Sequence, residues 1–364
     1  MIKLVHVITS MDRGGAQSML ARLVNELAKN REYHQEIIIL TGKKEYDFES
    51  NINIHYLNIS VNKSLFIKLL EFRALIKSLA PEIIQSWMYH ANFLAFFSGI
   101  NRGKIVFNIR HSLHDIENEK KLTKILIIIG SYMSRFVFKT VYCSKVSMKQ
   151  HYKAGYSEAK STYIPNGFDF SKFAPNHKYR RDYREQMSID PKTFVFGSIA
   201  RFHPMKNHIG LIKDFSLIKG NCSLVLIGEG IVNEEIKQLI QKLKLENRVV
   251  LLDKKEDIHK WLPAFDSIII PSLWGEAFPN ILGEAMSTEI PCIVSQVGDA
   301  PLILGDCGLV IEDSIHKSMQ YIHSLSTSDR KNLGRLARNR IIAKYSLSNS
   351  IKMYSDLYKD LILI

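Results

Sequence analysis

Short apolar runs alternate with amphipathic segments along the whole chain, and few folds satisfy that alternation. Runs such as Glu36 to Leu40 and Ser267 to Ile270 have the length and composition of buried strands. Segments such as Ala16 to Lys29 and Leu65 to Leu79 repeat their apolar residues at helical spacing and supply the cover. The first half holds strand candidates at Leu4 to Thr9, Glu36 to Leu40, Asn53 to Asn58, Ile83 to Trp87, Ile105 to Ile109 and Thr140 to Ser144. Further helical patterns run from Tyr89 to Gly99 and from Leu122 to Phe138. A second strand series starts at Phe194 to Ala200 and continues with Ser223 to Ile227, Val249 to Leu252, Ser267 to Ile270 and Pro291 to Ser295. The pattern predicts an α/β protein of two doubly wound, Rossmann-like domains. Asn166 to Pro191 is polar and carries Pro175, which places a linker over 171–192 between domains at 1–170 and 193–345, followed by a terminal helical segment at 346–364.

At 364 residues and 46% apolar composition, each domain can bury a core of its own. Cys143, Cys222, Cys292 and Cys307 have no Cys-x-x-Cys spacing and sit beside or within apolar runs, as buried thiols of a reducing cytosol do. The first apolar stretch ends at Thr9 without a cleavage pattern and reads as a strand. No apolar run reaches the roughly 20 residues of a spanning helix, so the expectation is a soluble or peripheral protein. Charge is uneven. Residues 1 to 185 hold 28 Lys and Arg against 16 Asp and Glu, whereas 186 to 364 hold 21 against 20. Zinc-finger spacing, an RNP-like aromatic motif and a zipper-type basic helix are all missing, which argues against nucleic acid. An anionic membrane surface, worth about 1 kcal/mol per nearby Lys or Arg, accounts for the basic half equally well.

Ligands of open α/β sheets bind beyond the carboxyl ends of the strands, and the candidate residues fall there. Ser272-Leu-Trp-Gly-Glu-Ala-Phe-Pro-Asn-Ile-Leu-Gly-Glu-Ala-Met286 follows a strand and opens a helix, with Pro279 suited to the first turn. The N–H groups of Asn280 and Ile281 and the helix dipole would face an anion such as a diphosphate. Glu276 and Glu284 have two readings, a solvated helix face or two contacts to one ligand. A glycoside hydrolase needs its carboxylates roughly 5 to 9.5 Å apart. Eight residues of continuous helix would separate these by about 12 Å. With Glu276 on the loop, one glutamate suits a transferred group and the other a ribose. Arg201 and Lys206, in Gly197-Ser-Ile-Ala-Arg-Phe-His-Pro-Met-Lys-Asn-His208, can converge on one anion, Arg as a bidentate donor and Lys as a point charge. His203 and His208 are expected to cap or solvate that turn, because no carboxylate or cysteine stands at metal-ligand spacing. Gly14 and Gly15, in Ser10-Met-Asp-Arg-Gly-Gly-Ala16, either let backbone approach an anion or simply turn strand into helix. They do not make Gly-x-Gly-x-x-Gly, so a dinucleotide dehydrogenase loses its main support. The chain has no Asp-x-Asp, and no metal is expected if Arg201, Lys206 and helix N-termini hold the diphosphate.

These motifs together resemble the GT-B glycosyltransferases, specifically the retaining family 4 (group 1) enzymes, over nearly the whole length. The resemblance rests on Gly14 and Gly15, Ile164-Pro-Asn-Gly-Phe-Asp169, Arg201 and Lys206, Gly228-Glu-Gly230, and above all the Glu276 to Glu284 motif. It implies two Rossmann-like domains facing across a cleft, with the segment from Asn349 to Leu361 crossing back to the first. It also implies Arg201 and Lys206 on the donor diphosphate, Glu284 on the ribose, Glu276 and Phe278 to Ile281 by the donor, and the backbone of Asp257 and Ile258 near the base. His111, in Arg110-His-Ser-Leu-His-Asp115, is the match for a histidine that contacts the donor sugar, with His114 a competitor. Two positions depart from the family pattern: Ala277 and Glu289 stand where glycine is usual.

The implied reaction moves a sugar from a nucleotide diphosphate, a UDP-sugar for preference, to an acceptor hydroxyl with retention and without a metal or other cofactor. Glu119 to Arg135 is basic at both ends around an apolar middle, and suits either a core helix or a lipid contact through Lys120, Lys121 and Lys124 with Ile127 or Ile128 dipping in. The resulting expectation is a cytoplasmic enzyme, peripheral on the inner face of the cytoplasmic membrane, extending a lipid-linked glycan of O-antigen or capsule type. A soluble transferase acting on a small sugar, and a nucleotide-sugar binding protein without turnover, are the alternatives.

Overall fold

The computed structural model describes residues 1–12, 14–59, 65–113, 116 and 119–363. The chain forms two compact units, one of residues 1–167 with 347–364 and one of residues 168–346.

Among the described residues the first unit carries strands β1 (Ile2–Ile8), β2 (Tyr33–Ile39), β3 (Asn53–Tyr56), β4 (Ile83–Trp87), β5 (Ile105–Ile109), β6 (Lys139–Tyr142) and β7 (Ser161–Tyr163). They lie in the order β3-β2-β1-β4-β5-β6-β7, and every pairing is parallel. Helices α1 (Gly15–Ala28), α2 (Leu65–Leu79), α3 (Tyr89–Phe96), α4 (Lys121–Met133) and α5 (Lys145–Lys153) connect them. The covered strands are buried on both faces: Leu4, Ile37 and Ile83 pack into one core, Val5, Ile38 and Ile84 into another. β4 and β5 are buried at every position, Gln85, Ser86 and Asn108 included, so neither shows the apolar-polar alternation of a strand with one solvated face.

The second unit repeats the plan. Helix α6 (His177–Gln186) precedes β8 (Phe194–Ile199), α7 (His208–Ser216), β9 (Cys222–Ile227), α8 (Glu234–Lys242), β10 (Val249–Leu252), α9 (Ile258–Trp261) and β11 (Ser267–Ile270). Then come α10 (Asn280–Ser287), β12 (Cys292–Val294), α11 (Ala300–Leu304), β13 (Leu309–Val310), α12 (Ile315–Ser324) and α13 (Thr327–Lys344). Its strand order is β10-β9-β8-β11-β12-β13, again parallel. In both sheets the order reverses once, beside β1 in the first and beside β8 in the second.

The expected linker over 171–192 is corrected here: it carries α6 and belongs to the second unit, whose boundary falls at Phe168. Its charges mislead because one of them is interior. Arg184 is 4% exposed, donates to the carbonyls of Ala264, Pro191 and Thr193, and pairs with Asp266 at 2.6 Å, which also holds Arg180 at 2.6 Å. Burial pulls the Arg184 guanidinium below its ordinary range against the attraction of Asp266.

The last helix, α14 (Leu347–Ile362), packs into the first unit. Its buried Tyr354 hydroxyl accepts from Asn108 Nδ2 at 2.9 Å and from Arg110 Nη2 at 2.5 Å. Tyr358 donates to Gln85, and Ser350 donates to the Pro165 carbonyl at 2.9 Å. Arg110 also hydrogen-bonds Asn108 and Asn166 and lies 5.0 Å over the Trp87 ring, so its charge is spent on holding this helix.

Candidate functional site

In the second unit β8 and β11 are neighbours where the strand order reverses, with Ser267 opposite Phe196 and Ile268 opposite Gly197. The segments leaving their carboxyl ends share the crevice in which such sheets bind ligands. Those are the two segments that hold Arg201 and Lys206, and Glu276 and Glu284.

After β8 the chain passes Arg201 and makes a tight turn at Pro204–Lys206 that ends on Asn207 in the left-handed region and opens α7. His203 caps the turn, its Nδ1 accepting from the Met205 N–H at 3.2 Å. His208 does not do what was expected of it: it neither caps nor meets solvent. Its ring is buried at the start of α7 against Phe202, with no hydrogen-bond partner among the described residues, and burial followed by nearby Lys206 lowers its pKa to about 4. The turn is strapped down by the Phe202 N–H, which donates to Glu229 O at 2.8 Å. Gly228 is required beneath it, because a Cβ there would lie 1.9 Å from Ala200 O. The Arg201 side chain is exposed and makes no hydrogen bond or ion pair among the described residues.

After β11 the chain crosses to this turn, where the Leu273 N–H donates to Met205 O at 2.8 Å. Glu276 lies on the loop rather than on the helix, and its Oε1 accepts from both Lys206 Nζ and the Ser272 hydroxyl, the latter at 2.9 Å. Ser272 is fixed in turn by Ser295, which donates to its carbonyl at 2.5 Å. Gly298 seats the Glu276 backbone, since a Cβ on it would lie 1.9 Å from Glu276 O, and the Asp299 N–H holds Ala277 O at 3.0 Å. Phe278 turns its ring inward, 6.1 Å from that of Phe168 and 5.6 Å from that of Tyr345. Pro279 is the N-cap of α10, one position before the expected first turn, so Asn280 and Ile281 are the first two helical residues and Glu284 stands half-buried one turn on.

Asp257 occupies the N-cap position of α9 after β10, two strands from β8, without a capping hydrogen bond to its side chain. Its carboxyl is held below the usual range: burial, which would raise it, is outweighed by Lys260 at 3.0 Å and further hydrogen bonds, and Tyr183 Oη lies at 3.4 Å. Ile258 begins that helix.

In the first unit Gly14 is the extended N-cap of α1 and Gly15 its first residue. The Gly14 N–H donates to the Tyr46 hydroxyl, which donates back to the Gly14 carbonyl, both at 3.2 Å. His111 follows β5, and its Nε2 is 2.6 Å from Glu119 Oε1, a hydrogen bond that holds the Glu119 carboxyl below its usual range against burial. Tyr89 meets the His111 ring edge-on at 6.1 Å and hydrogen-bonds buried His151 at 2.8 Å. His114 and Arg13 lie outside the described residues.

The structure thus brings Lys206 and Glu276 into one ion pair, where the sequence gives them separate ligand contacts. Sequence reasoning missed Ser272, Ser295, Gly298 and Glu119. A glycine just past a strand was the available signal for Gly298; no local signal pairs Glu119 with His111. Among the described residues no three His, Cys, Asp or Glu side chains group as metal ligands do. Among the described residues no helix is long and apolar enough to cross a membrane.

Residues 179–340 match the family model of glycosyl transferases group 1, and residues 13–172 that of glycosyltransferase family 4. Among curated proteins, the chain is 28% identical over 273 residues to the UDP-Gal:alpha-D-GlcNAc-diphosphoundecaprenol alpha-1,3-galactosyltransferase of Escherichia coli, covering 69% of each chain. It is 24% identical, over the full length of both, to the Campylobacter jejuni N-acetylgalactosamine-N,N'-diacetylbacillosaminyl-diphospho-undecaprenol 4-alpha-N-acetylgalactosaminyltransferase. The crystal structure of Anabaena Alr3699/HepE in complex with UDP superposes with a TM-score of 0.85 at 17% identity, covering 99% of this chain and 100% of that one.

Proposed function

Because the chain belongs to the family 4 (group 1) glycosyltransferases and has the GT-B fold, we propose that it moves a sugar from a UDP-sugar to a hydroxyl of a lipid-linked surface glycan, with retention of configuration and without a metal. The observation that carries this reading is the pairing of β8 with β11 at the switch point, which sets Arg201, Lys206, Glu276 and the start of α10 on adjoining segments of one crevice. The acceptor class is supported by relatives whose names specify diphosphoundecaprenol-linked acceptors.

As the bond from the sugar's anomeric carbon to the diphosphate oxygen breaks, its electron pair leaves with the diphosphate and the sugar becomes oxocarbenium-like. Arg201, Lys206 and the first N–H groups of α10 stabilise the growing negative charge. Glu276, oriented by Ser272, faces the transferred sugar, and Glu284 holds the ribose. The acceptor hydroxyl bonds to the anomeric carbon on the face the diphosphate leaves, and its proton passes to a phosphate oxygen of that leaving group. His111, oriented by Glu119, is assigned to the donor sugar, and the backbone of Asp257 and Ile258 to the base. The basic first 185 residues hold the enzyme peripherally on an anionic cytoplasmic membrane face.

Losing one preorganised donor to a developing anion costs about 2.7 to 4 kcal/mol. Arg201→Ala should therefore lower turnover at least a hundredfold. The test is donor consumption by the purified protein across UDP- and GDP-sugars, with a lipid-linked acceptor and with chelator present. Consumption of a UDP-sugar that collapses in Arg201→Ala supports the reading. Binding of UDP-sugar without consumption by any acceptor would reduce it to a binding protein.

A further inference from the structure

We infer that the outward face of α4, extended by Phe136 and Phe97, is the surface by which the first unit docks on an anionic lipid bilayer; this rests on the peripheral reading above and gives it a location. Two faces of one helix separate cleanly. Leu126, Ile127 and Met133 are buried among core residues such as Tyr89, Ile109 and Phe107, so Ile127, one of the two isoleucines expected to dip into lipid, faces the core instead. Leu122, Ile125, Ile128 and Tyr132 recur at spacings of three or four and are 52 to 60% exposed. Phe136 continues the stripe past the helix end, its ring 5.1 Å from Tyr132 and 6.4 Å from Phe96. Phe97, also exposed, packs on Phe96 at 5.4 Å, and Arg102 lies 4.4 Å over the Phe96 ring.

The charge of the sequence that carries this stripe names its occupant. From Lys120 to Ser157 the sequence has no Asp or Glu, but it has Lys120, Lys121, Lys124, Arg135, Lys139, Lys145, Lys149 and Lys153. A second copy of the chain would bring those cations against themselves, which like-charge repulsion disfavours. An anionic headgroup layer complements them, while large aliphatic and aromatic side chains suit the headgroup boundary of a helix lying flat. At about 1.5 Å per residue, α4 spans roughly 20 Å, enough to lie in the interface and too short to cross it.

The test is co-sedimentation of the full chain with vesicles of phosphatidylglycerol in phosphatidylethanolamine, against phosphatidylcholine vesicles, at low and high salt. The wild type should bind the anionic vesicles and be released by salt. Ile125→Glu with Ile128→Glu should lower the bound fraction at least tenfold, and Lys121→Ala about fivefold, whereas Leu336→Glu on the second unit should change nothing. Tyr132→Ser, a milder change on the same face, should also weaken binding and guards against misfolding of the double variant. UDP affinity, a property of the second unit, should be unaltered in all of them, so a failure here is separable from failure of the transferase reading. Indifference of the wild type to anionic lipid, full vesicle binding by the double variant, or a dimer broken by the double substitution in place of vesicle binding would each overturn the inference.

Discussion

Lys206 and Arg201 reach the proposed diphosphate from one connection but stand in different debts to the protein. Arg201 is exposed and makes no contact among the described residues that its loss would leave unpaired. Lys206 is paired with Glu276, whose remaining partner is Ser272. Arg201→Ala should leave the melting transition within the range of neutral surface changes, about 0.5 kcal/mol, while turnover collapses. Lys206→Ala should lose turnover and also about 1 to 3 kcal/mol of stability, for a hydrogen bond to a charged group with its acceptor left half-satisfied. Thermal melts beside donor-consumption assays separate the two. Glu289 carries the opposite lesson. It follows α10 with φ +61°, a left-handed position that favours glycine, and its 4.0 Å contact with Arg338 is long for an ion pair. Glu289→Gly should raise stability by about 0.5 to 1 kcal/mol in urea melts, and a loss of stability would show that the Arg338 contact outweighs the strain. The residue types of the site were legible because each lies in the connection that follows a strand or in the first turns of the helix it opens. Their pairings were not, since Lys206 and Glu276 lie seventy positions apart in the chain and His111 meets Glu119 across a loop.

Among elements, the buried strands were read from their apolar runs nearly residue for residue, as at Ile83–Trp87, Ile105–Ile109 and Val249–Leu252. The two-residue β13 and three-residue β7 escaped, being too short to carry a period. α6 escaped for a different reason. Its sequence, His177-Lys-Tyr-Arg-Arg-Asp-Tyr-Arg-Glu-Gln186, is too polar to announce a packed helix, yet Arg184 satisfies three carbonyls and Asp266 from inside the fold. Removing one partner of a buried pair costs about 3 to 5 kcal/mol. Arg184→Ala should approach the lower figure, because Arg180 still holds Asp266, and urea melts would read it. A cost below about 1 kcal/mol would mean that α6 is a linker helix after all. The loop under Arg201 makes a matching case: Gly228→Ala sets a methyl against Ala200 O and should cost about 1 to 3 kcal/mol of overpacking together with donor affinity.

Across the whole molecule, three of the described histidines are buried in the neutral form. Burial lowers His6 to about 3 and His151 and His208 to about 4, in each case as the largest cause. Between the ordinary histidine pKa of about 6.5 and those values the unfolded chain binds protons that the folded chain refuses, so stability falls as pH falls through that window. Each contributes on the order of 3 kcal/mol of that loss, and urea midpoints should drop steeply from pH 6.5 toward pH 4 and less steeply in His208→Phe. The doubly wound plan was written in the alternation of runs, since every covered parallel strand is buried, and so largely apolar, on both faces; the boundary between units was not, because polar composition marks a surface and not a hinge. What the second unit does with its switch point decides the account. Calorimetric titration of UDP, with chelator present, into the wild type, Arg201→Ala and Glu284→Ala measures it directly. The account predicts saturable binding by the wild type and at least tenfold weaker binding by each variant with the fold intact; equal affinity in all three would contradict it.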